Sequence, residues 1–536
     1  MRHLKAWLHS LCCHVGPTWQ LGAWLTLGKR LSSTTVSSMP GTEGEPTPTM
    51  SDTNHFDVLI VGAGLSGIGA AYHLQQECPD HTFTILEGRD DIGGTWDLFR
   101  YPGVRSDSDM HTLGFSFKPW TAEKSIASGS AILEYLRETV AEFAIREHIR
   151  FGHLAQSADW DSATSTWTIT CQRTDGGDAV TVTANFLYMC SGYYSYKGGH
   201  TPEFAESETF AGTVVHPQQW PEDLDYTNKR VVIIGSGATA VTLLPAIADT
   251  ASHVTMLQRS PTYMAAAPDV DPINKFLRRV LPSRTAYAIT RKKNVAIGQF
   301  FYQQTRKHPA KIKTKMLDMV RKKLPADYDI EQHFTPDYNP WDQRVCLVPN
   351  GDLFASISSG KASVVTDEIV RFTETGIELR SGEHIDADII VTATGLTLVT
   401  LGEIDFTVDG KRLNFAQTWT YKGIAYSGVP NLVSSFGYVN ASWTLRSDLI
   451  SHYVCRLLQH MAATQNTKCV PLLRDEDQGM SVRPYIDDFS SGYMQRAMPL
   501  LPKQGDHSPW TNPQAIAPDK AQLEKSVIND GAMQFS

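Results

Sequence analysis

Long apolar runs are missing from this 536-residue chain. No stretch reaches 18 consecutive apolar residues, so no membrane-spanning helix is expected. Cysteine is sparse and scattered: Cys12, Cys13, Cys78, Cys171, Cys190, Cys346, Cys455 and Cys469, with no C-x-x-C pair. That spacing argues against a disulfide framework or a zinc site and fits a reducing compartment. The C-x4-C pair that a two-nucleotide disulfide reductase needs is absent as well. Positive charge is not in excess. The net charge is -9, which argues against nucleic acid as a partner. Acids are missing from the start of the chain, where the first is Glu43. Residues 1–49 carry Arg2, Lys5, Lys29, Arg30 and a serine cluster, so they read as an organelle transit peptide or as an upstream extension with Met50 as a workable start. The expected location is cytoplasmic, or mitochondrial if that segment is a transit peptide.

What is present is glycine in two fixed patterns. FDVLIVGAGLSGIGAAYHL spans Phe56 to Leu74. Val58 to Val61 is the apolar run of a buried parallel strand. Gly62, Ala63, Gly64, Leu65, Ser66 and Gly67 follow and open a helix. Gly62 permits the tight turn, Gly64 lets backbone approach a pyrophosphate, and Gly67 lets helix and strand pack closely. Phosphates sit at such a helix N-terminus. A second strand, Thr82 to Leu86, ends in Glu87, 20 residues past Gly67, where a carboxylate binds ribose hydroxyls.

RVVIIGSGATAVTLL, Arg230 to Leu244, repeats the theme. Gly235, Ser236, Gly237, Ala238, Thr239 and Ala240 form the G-x-G-x-x-A variant. Its second strand, His253 to Leu257, is followed by Gln258, Arg259 and Ser260 in place of an acid. A guanidinium there suits a 2′-phosphate. The first fold therefore reads as an FAD site and the second as an NADPH site. Arg259 as a plain solvated charge is the other reading.

The expected fold is α/β, with two Rossmann-like dinucleotide-binding domains, antiparallel β meanders at 153–192 and 364–395, and a helical insertion. Each domain is expected to be built from two separate stretches of chain. After a leader (1–49), the FAD domain takes 54–200 and, later, 386–510. The NADPH domain, together with the linker that enters it, takes 201–265 and then 331–385. A basic helical insertion (266–330) interrupts the NADPH domain, and a C-terminal tail (511–536) closes the chain. Asn440 opens a helix signal with Leu445, Leu449, Tyr453, Leu457 and Met461 on one face, expected to be core.

Four further strings carry a family resemblance. FAGTVVHPQQWP places Phe210, Gly212, His216, Trp220 and Pro221 in an F-x-G-x-x-x-H-x-x-x-W-P pattern. GGTWDLFRYPGVRSDSD covers 93–109, YNPWDQRVCLVPNGDLF covers 338–354 and GYVNASWTL covers 437–445. With the two glycine turns, they resemble the Baeyer–Villiger branch of the class B flavoprotein monooxygenases, most of all the ethionamide-activating subgroup, over residues 54–510.

The resemblance implies FAD, NADPH and O2 as reactants. It implies insertion of one oxygen, via a C4a-peroxyflavin, into small apolar ketones to give esters, and S-oxygenation of sulfur compounds. Long-chain alkane hydroxylation is the alternative, and a non-catalytic flavoprotein is the rival outside the enzymes. Arg344 would stabilise the negative oxygen as a cation that never loses its proton, and Asp107 would orient it. Thr95, Trp96, Asp97 and Leu98 would run beside the flavin, and Arg105 and Ser106 would join Asp107 at the cofactor. Read from the residues alone, Arg344 is a surface ion-pair partner, Asp107 a helix cap and His216 a core histidine. The resemblance instead makes the His216 string a linker that couples domain movement to catalysis. Gln343 stands where some members carry Lys, which leaves more of the phosphate binding to Arg259.

Residues 273–325 hold fifteen Lys or Arg and a single acid, Asp318, interleaved with Phe276, Leu277, Val280, Phe300, Phe301 and Met316. Two readings stay open: a solvated helical cover, or a basic face resting on anionic lipid.

Overall fold

The computed structural model describes residues 54–487 and 489–536. The leader, with its transit-peptide and start-site readings, lies outside the described residues. Eight strands build the main path of the first sheet, and β-branched and apolar runs make its centre. They are β1 (His55–Val61), β2 (Phe83–Leu86), β3 (Ile149–Arg150), β4 (His153–Asp161), β5 (Thr166–Arg173), β6 (Val180–Met189), β17 (Asp405–Val408) and β18 (Lys411–Arg412), in the order β18-β17-β4-β5-β6-β1-β2-β3. The ten strands that lie in the chain between β6 and β17 form the second sheet and its neighbours. β6 joins two kinds of pairing. Residues 180–184 run antiparallel to β5, while residues 183–189 run parallel to β1. The expected meander and the parallel layer are thus one sheet, continued by Leu432–Ser434 alongside β6.

The second sheet is all parallel: β7 (Thr213–Val215), β8 (Arg230–Ile234), β9 (His253–Gln258), β12 (Ala362–Thr366) and β16 (Ile389–Thr392), in the order β12-β9-β8-β16-β7. Between β9 and β12 lies a short parallel pair, β10 (Met264–Ala267) and β11 (Cys346–Pro349). Between β12 and β16 lies an antiparallel trio, β13 (Ile369–Thr373), β14 (Gly376–Leu379) and β15 (His384–Asp386). Three expected divisions need correction. β16 belongs to the second sheet, so the chain leaves that domain after residue 392 rather than 385. β7, expected as linker, is that sheet's edge strand. The segment 511–536 is no appendage: Leu523, Ala532 and Met533 are buried in the first core, and Met533–Phe535 pairs with Cys469–Pro471.

Helix α1 (Leu65–Glu77) follows β1, and α2 (Ala238–Ile247) follows β8. The insertion is three helices, α3 (Pro272–Val280), α4 (Ser283–Lys307) and α5 (Pro309–Arg321). Arg291 of α4 ties it to the first domain, donating to the carbonyls of His111, Thr112 and Gly114 at 2.7–3.0 Å. Helix α6 begins at Thr444 rather than Asn440 and runs to Thr464. Its expected stripe is core: Leu449, Tyr453, Leu457 and Met461 are buried against α1 and its surroundings.

Candidate active site

The two glycine turns are built as their spacing requires. Gly62 has φ +102°, and a Cβ there would lie 2.6 Å from the Cys190 carbonyl oxygen. A Cβ on Gly67 would lie 1.9 Å from the carbonyl oxygen of Gly62, so only glycine lets α1 sit this close to the strand end. Gly64 faces Gly94 backbone to backbone, since its Cβ would be 3.7 Å from the Gly94 Cα. Glu87 is buried at the end of β2. One oxygen accepts the Ala63 N–H at 2.7 Å and the other the Arg89 N–H at 2.9 Å. Burial raises its carboxyl pKa above the ordinary value against the pull of those donors. Each carboxylate oxygen keeps lone pairs for hydroxyls. Ser66 turns its side chain inward, where Trp443 Nε1–H donates to its Oγ at 2.8 Å. Its contribution at the turn is the backbone of the first helical turn, whose N–H groups have no partner inside the helix.

In the second turn, Gly235 has φ +134° and meets the Ala393 carbonyl oxygen, while a Cβ on Gly237 would meet nothing within 4 Å. Gly237 and Ala238 are exposed, Thr239 is half-buried and Ala240 packs in the core. Ser236 Oγ donates to the Ser260 carbonyl at 3.0 Å and lies 2.8 Å from Thr262 Oγ1. Gln258 is a correction. It pairs in register with Thr366 and is buried, with Nε2 donating to the His333 carbonyl and Thr366 Oγ1. The last residue of β9 therefore points into the domain. Arg259, next along, is exposed and makes no hydrogen bond or ion pair among the described residues.

The GGTWDLFRYP stretch crosses between the two cores. Trp96 packs on the first core and Leu98 on the second, with Phe99 and Tyr101 buried in the second. Thr95 is exposed at the start of a one-turn helix, and Asp97 is buried between Arg89 and Arg100. Two further expectations change. Arg105 is paired with Asp352, and Ser106 is buried with its Oγ accepting from the Ala127 N–H. Both guanidinium and hydroxyl are therefore engaged by the protein. Asp107 is not a helix cap; that role belongs to Asp109, which accepts from the Thr112 N–H.

Asp107 instead meets Arg344, which lies two residues before β11. Arg344 Nε donates to Asp107 Oδ2 at 3.1 Å, Nη2 reaches the same oxygen, and Nη1 donates to the Val439 carbonyl at 2.7 Å. The Asp107 carboxylate raises the arginine pKa above its ordinary value. The guanidinium side chain still keeps 35% of its surface open. Val439 lies in the loop 435–443 that ends in Trp443, whose indole holds Ser66 at the first turn, so Arg344 is tied to that turn through a short stretch of chain. The phenols of Tyr193, Tyr194 and Tyr493 gather near this cation, and burial raises the pKa of each. Tyr193 stacks on Trp443 with ring centroids 5.1 Å apart. Sequence reasoning missed these tyrosines. Tyr193 and Tyr194 directly follow the end of the 153–192 meander at Gly192, and nothing in their spacing marks them as site residues.

His216 accepts the Gln218 N–H at Nδ1 (3.2 Å), so its Nε2–H donates to the Gly395 carbonyl (3.2 Å). Burial lowers its pKa below the ordinary value, and the neutral ring suits both contacts. Gly199 lies against the ring, where a Cβ would come within 1.9 Å of His216 Cε1.

A chain with these two glycine turns and an arginine paired to Asp107 has known relatives. A family model described as flavin-binding monooxygenase-like matches residues 56–403. The chain is 50% identical over 485 residues to the FAD-containing monooxygenase EthA of Mycobacterium tuberculosis, covering 90% of this chain and 98% of that protein. The chain belongs to the flavin-binding monooxygenase-like family. This flavin-dependent monooxygenase is also 46% identical over 486 residues to the probable FAD-binding monooxygenase AlmA of Acinetobacter baylyi, covering 90% of this chain and 96% of that one. Among solved structures, an oxidized steroid monooxygenase bound to NADP aligns with TM-score 0.67 and 26% identity, over 79% of this chain and 88% of that chain. OTEMO in complex with FAD and NADP aligns with TM-score 0.72 over 90% of this chain and 100% of that chain, at 20% identity, a likeness of fold. The expected α/β architecture and the resemblance to Baeyer–Villiger monooxygenases are borne out.

Proposed function

We propose that this monooxygenase uses NADPH and O2 to oxidise apolar ketones to esters and to oxygenate sulfur compounds. FAD would lie on the first turn, with Glu87 on the ribose and the Gly64–Gly94 approach beside the pyrophosphate. NADPH would lie on the second, with Arg259 on the 2′-phosphate. The geometry fits both groups. A close-packed glycine pair leaves backbone available at the first turn. The second turn is open above Gly237, and Arg259 nearby pairs with no group among the described residues.

Bound flavin supplies the reduction of O2 and the delivery of one oxygen atom, the other leaving as water. This chain's residues supply charge and exclusion. Arg344 holds negative charge at the reacting oxygen, Asp107 and the Val439 carbonyl fix the direction of its fork, and the tyrosines keep water off. Apolar surface from Tyr193, Tyr194, Phe436 and Phe489 lies in the cluster beside this site, which favours apolar substrates. The single observation that carries the reading is Arg344 held by Asp107 and by Val439, in the loop whose Trp443 holds Ser66 of the first turn. Arg344→Ala should still bind FAD and be reduced by NADPH while losing ester formation about 100-fold or more. Ester formation near the native rate in that variant would remove the mechanism. Product analysis with a linear ketone and a long alkane separates ketone oxidation from alkane hydroxylation.

A second partner follows from α3. Ile273, Phe276, Leu277 and Val280 share one helix face, and Phe276 and Val280 are 61% and 59% exposed. Lys275, Arg278 and Arg279 flank that face, and only Asn274 of the helix is buried. No described helix is long and apolar enough to cross a membrane. An apolar face with basic flanks fits an anionic lipid surface on which the enzyme rests. Flotation with phosphatidylglycerol vesicles, but not with pure phosphatidylcholine, should carry the protein, and Phe276→Ser with Val280→Ser should abolish it. Equal flotation of native and variant protein, or self-association through this face in sedimentation, would overturn the lipid assignment.

A further inference from the structure

The segment after Trp510 reaches the arginine. Gln514 is buried and has φ +48°, in the left-handed region that non-glycine residues avoid. Both polar atoms of its amide are used. Oε1 accepts the Val439 N–H at 3.0 Å, and Nε2 donates to the Gly437 carbonyl and to Asn512 Oδ1, each at 3.3 Å. Its own carbonyl accepts from Asn440 Nδ2 at 3.3 Å. One residue therefore holds Val439 directly, with Gly437 before it and Asn440 after it, and the Val439 carbonyl is the acceptor for Arg344 Nη1 at 2.7 Å.

The clasp is itself anchored. Asn512 accepts from Arg446 Nη2 at 2.9 Å, and Arg446 pairs with Asp519 at 3.3 Å, with both side chains wholly buried. Arg446 also donates to the Phe436 carbonyl at 2.9 Å. Gln514 thus grips 437–440 directly, and Arg446 of α6, itself anchored by Asn512 and Asp519, grips the Phe436 end of the loop that presents a carbonyl to the arginine. A left-handed glutamine here makes structural sense, because that backbone twist turns its amide back toward Val439 while its carbonyl meets Asn440.

We propose that Gln514 is a positioning residue for Arg344. It acts through Val439 and touches neither cofactor nor substrate. The proposal rests on the reading of Arg344 as the group that holds charge at the reacting oxygen. With Gln514 intact, the guanidinium is held at two points, Asp107 and Val439. Without it, the Val439 carbonyl is free to turn, and the fork keeps only the carboxylate. A small displacement of an aligned group is costly in rate.

The test uses the full-length FAD-loaded enzyme with NADPH and a linear ketone. Gln514→Asn keeps an amide and favours the left-handed backbone but is one methylene too short. Gln514→Leu keeps the size and removes the acceptor. Both should keep FAD and flavin reduction by NADPH within about twofold and stay folded at the assay temperature, while ester formed per NADPH falls about 10-fold and hydrogen peroxide rises. The same substitution in an Arg344→Lys background should cost less than about twofold more, since the two residues act in one line. Native ester yield in both Gln514 variants would overturn the proposal. So would a loss that multiplies fully with Arg344→Lys, or a loss that tracks FAD content and melting temperature. If Arg344→Lys itself forms ester at the native rate, the reading of Arg344 fails first and takes this one with it.

Discussion

Arg344 Nε and Asp107 Oδ2 lie 3.1 Å apart, joined across 237 residues of chain. Neither belongs to a glycine turn. Asp107 arrives on the stretch that follows the crossing from first core to second, and Arg344 arrives just before β11, which pairs in parallel with β10. The pair therefore exists only when both domains are folded and docked as they are here. The carboxylate raises the arginine pKa, so the cation persists at any working pH.

Asp107→Ala should cost less than Arg344→Ala. The guanidinium remains charged and keeps its bond to Val439, so what is lost is alignment. Ester formation should fall about 10-fold, with flavin reduction unchanged, as read by stopped-flow absorbance and product analysis. A loss as deep as that of Arg344→Ala would mean that the carboxylate does more than orient.

Arg259→Gln should raise the KM for NADPH about 10-fold or more and narrow the preference over NADH, with kcat little changed. Initial rates with both nucleotides decide it. An unchanged KM would make Arg259 the solvated charge that its sequence position also allowed.

Stability should fall on the alkaline side through His73. Burial alone would lower this histidine's pKa, but the carboxylates of Asp448 and Glu77 outweigh it and bring the value to about 9. His452 shares Glu77, and Arg291 faces Asp448, so all four neighbours belong to the same network. Because the folded value lies above the unfolded one, the stabilisation is complete below pH about 6.5 and is lost as pH rises through about 9. It amounts to roughly 3 kcal/mol. Melting temperature should drop between pH about 7 and about 10, and His73→Gln should flatten the profile over that range.

Gly199→Ala should disturb the linker rather than a core. The added methyl would fall on the His216 ring and push it from the Gly395 carbonyl. Overpacking of this kind costs about 1–3 kcal/mol. A lower melting temperature together with a lower ester yield per NADPH would tie the His216 contact to coupling between domains. An unchanged yield would leave His216 a packing residue.

Much of this protein is written locally. The two strand-glycine-helix units, Glu87 at the end of β2 and Arg259 after β9 follow from short-range periodicity and from conformations that glycine alone adopts cheaply. The core stripe of α6 follows from helical spacing in the same way. What local pattern could not supply was the partner across the fold. Gln258 and Arg259 are neighbours, yet strand alternation and the pairing with Thr366 send one inward and leave the other exposed. Arg105 and Ser106 sit beside Asp107 but are claimed by Asp352 and Ala127. The segment after Trp510 carries no motif, and its hold on Val439 depends on a buried Arg446–Asp519 pair 73 residues apart. Backbone preference and hydrophobic spacing are properties of a few adjacent residues, so sequence determined the two nucleotide folds. Hydrogen-bond satisfaction in a buried site depends on which distant segments meet there, so only the tertiary structure decided how the arginine is held.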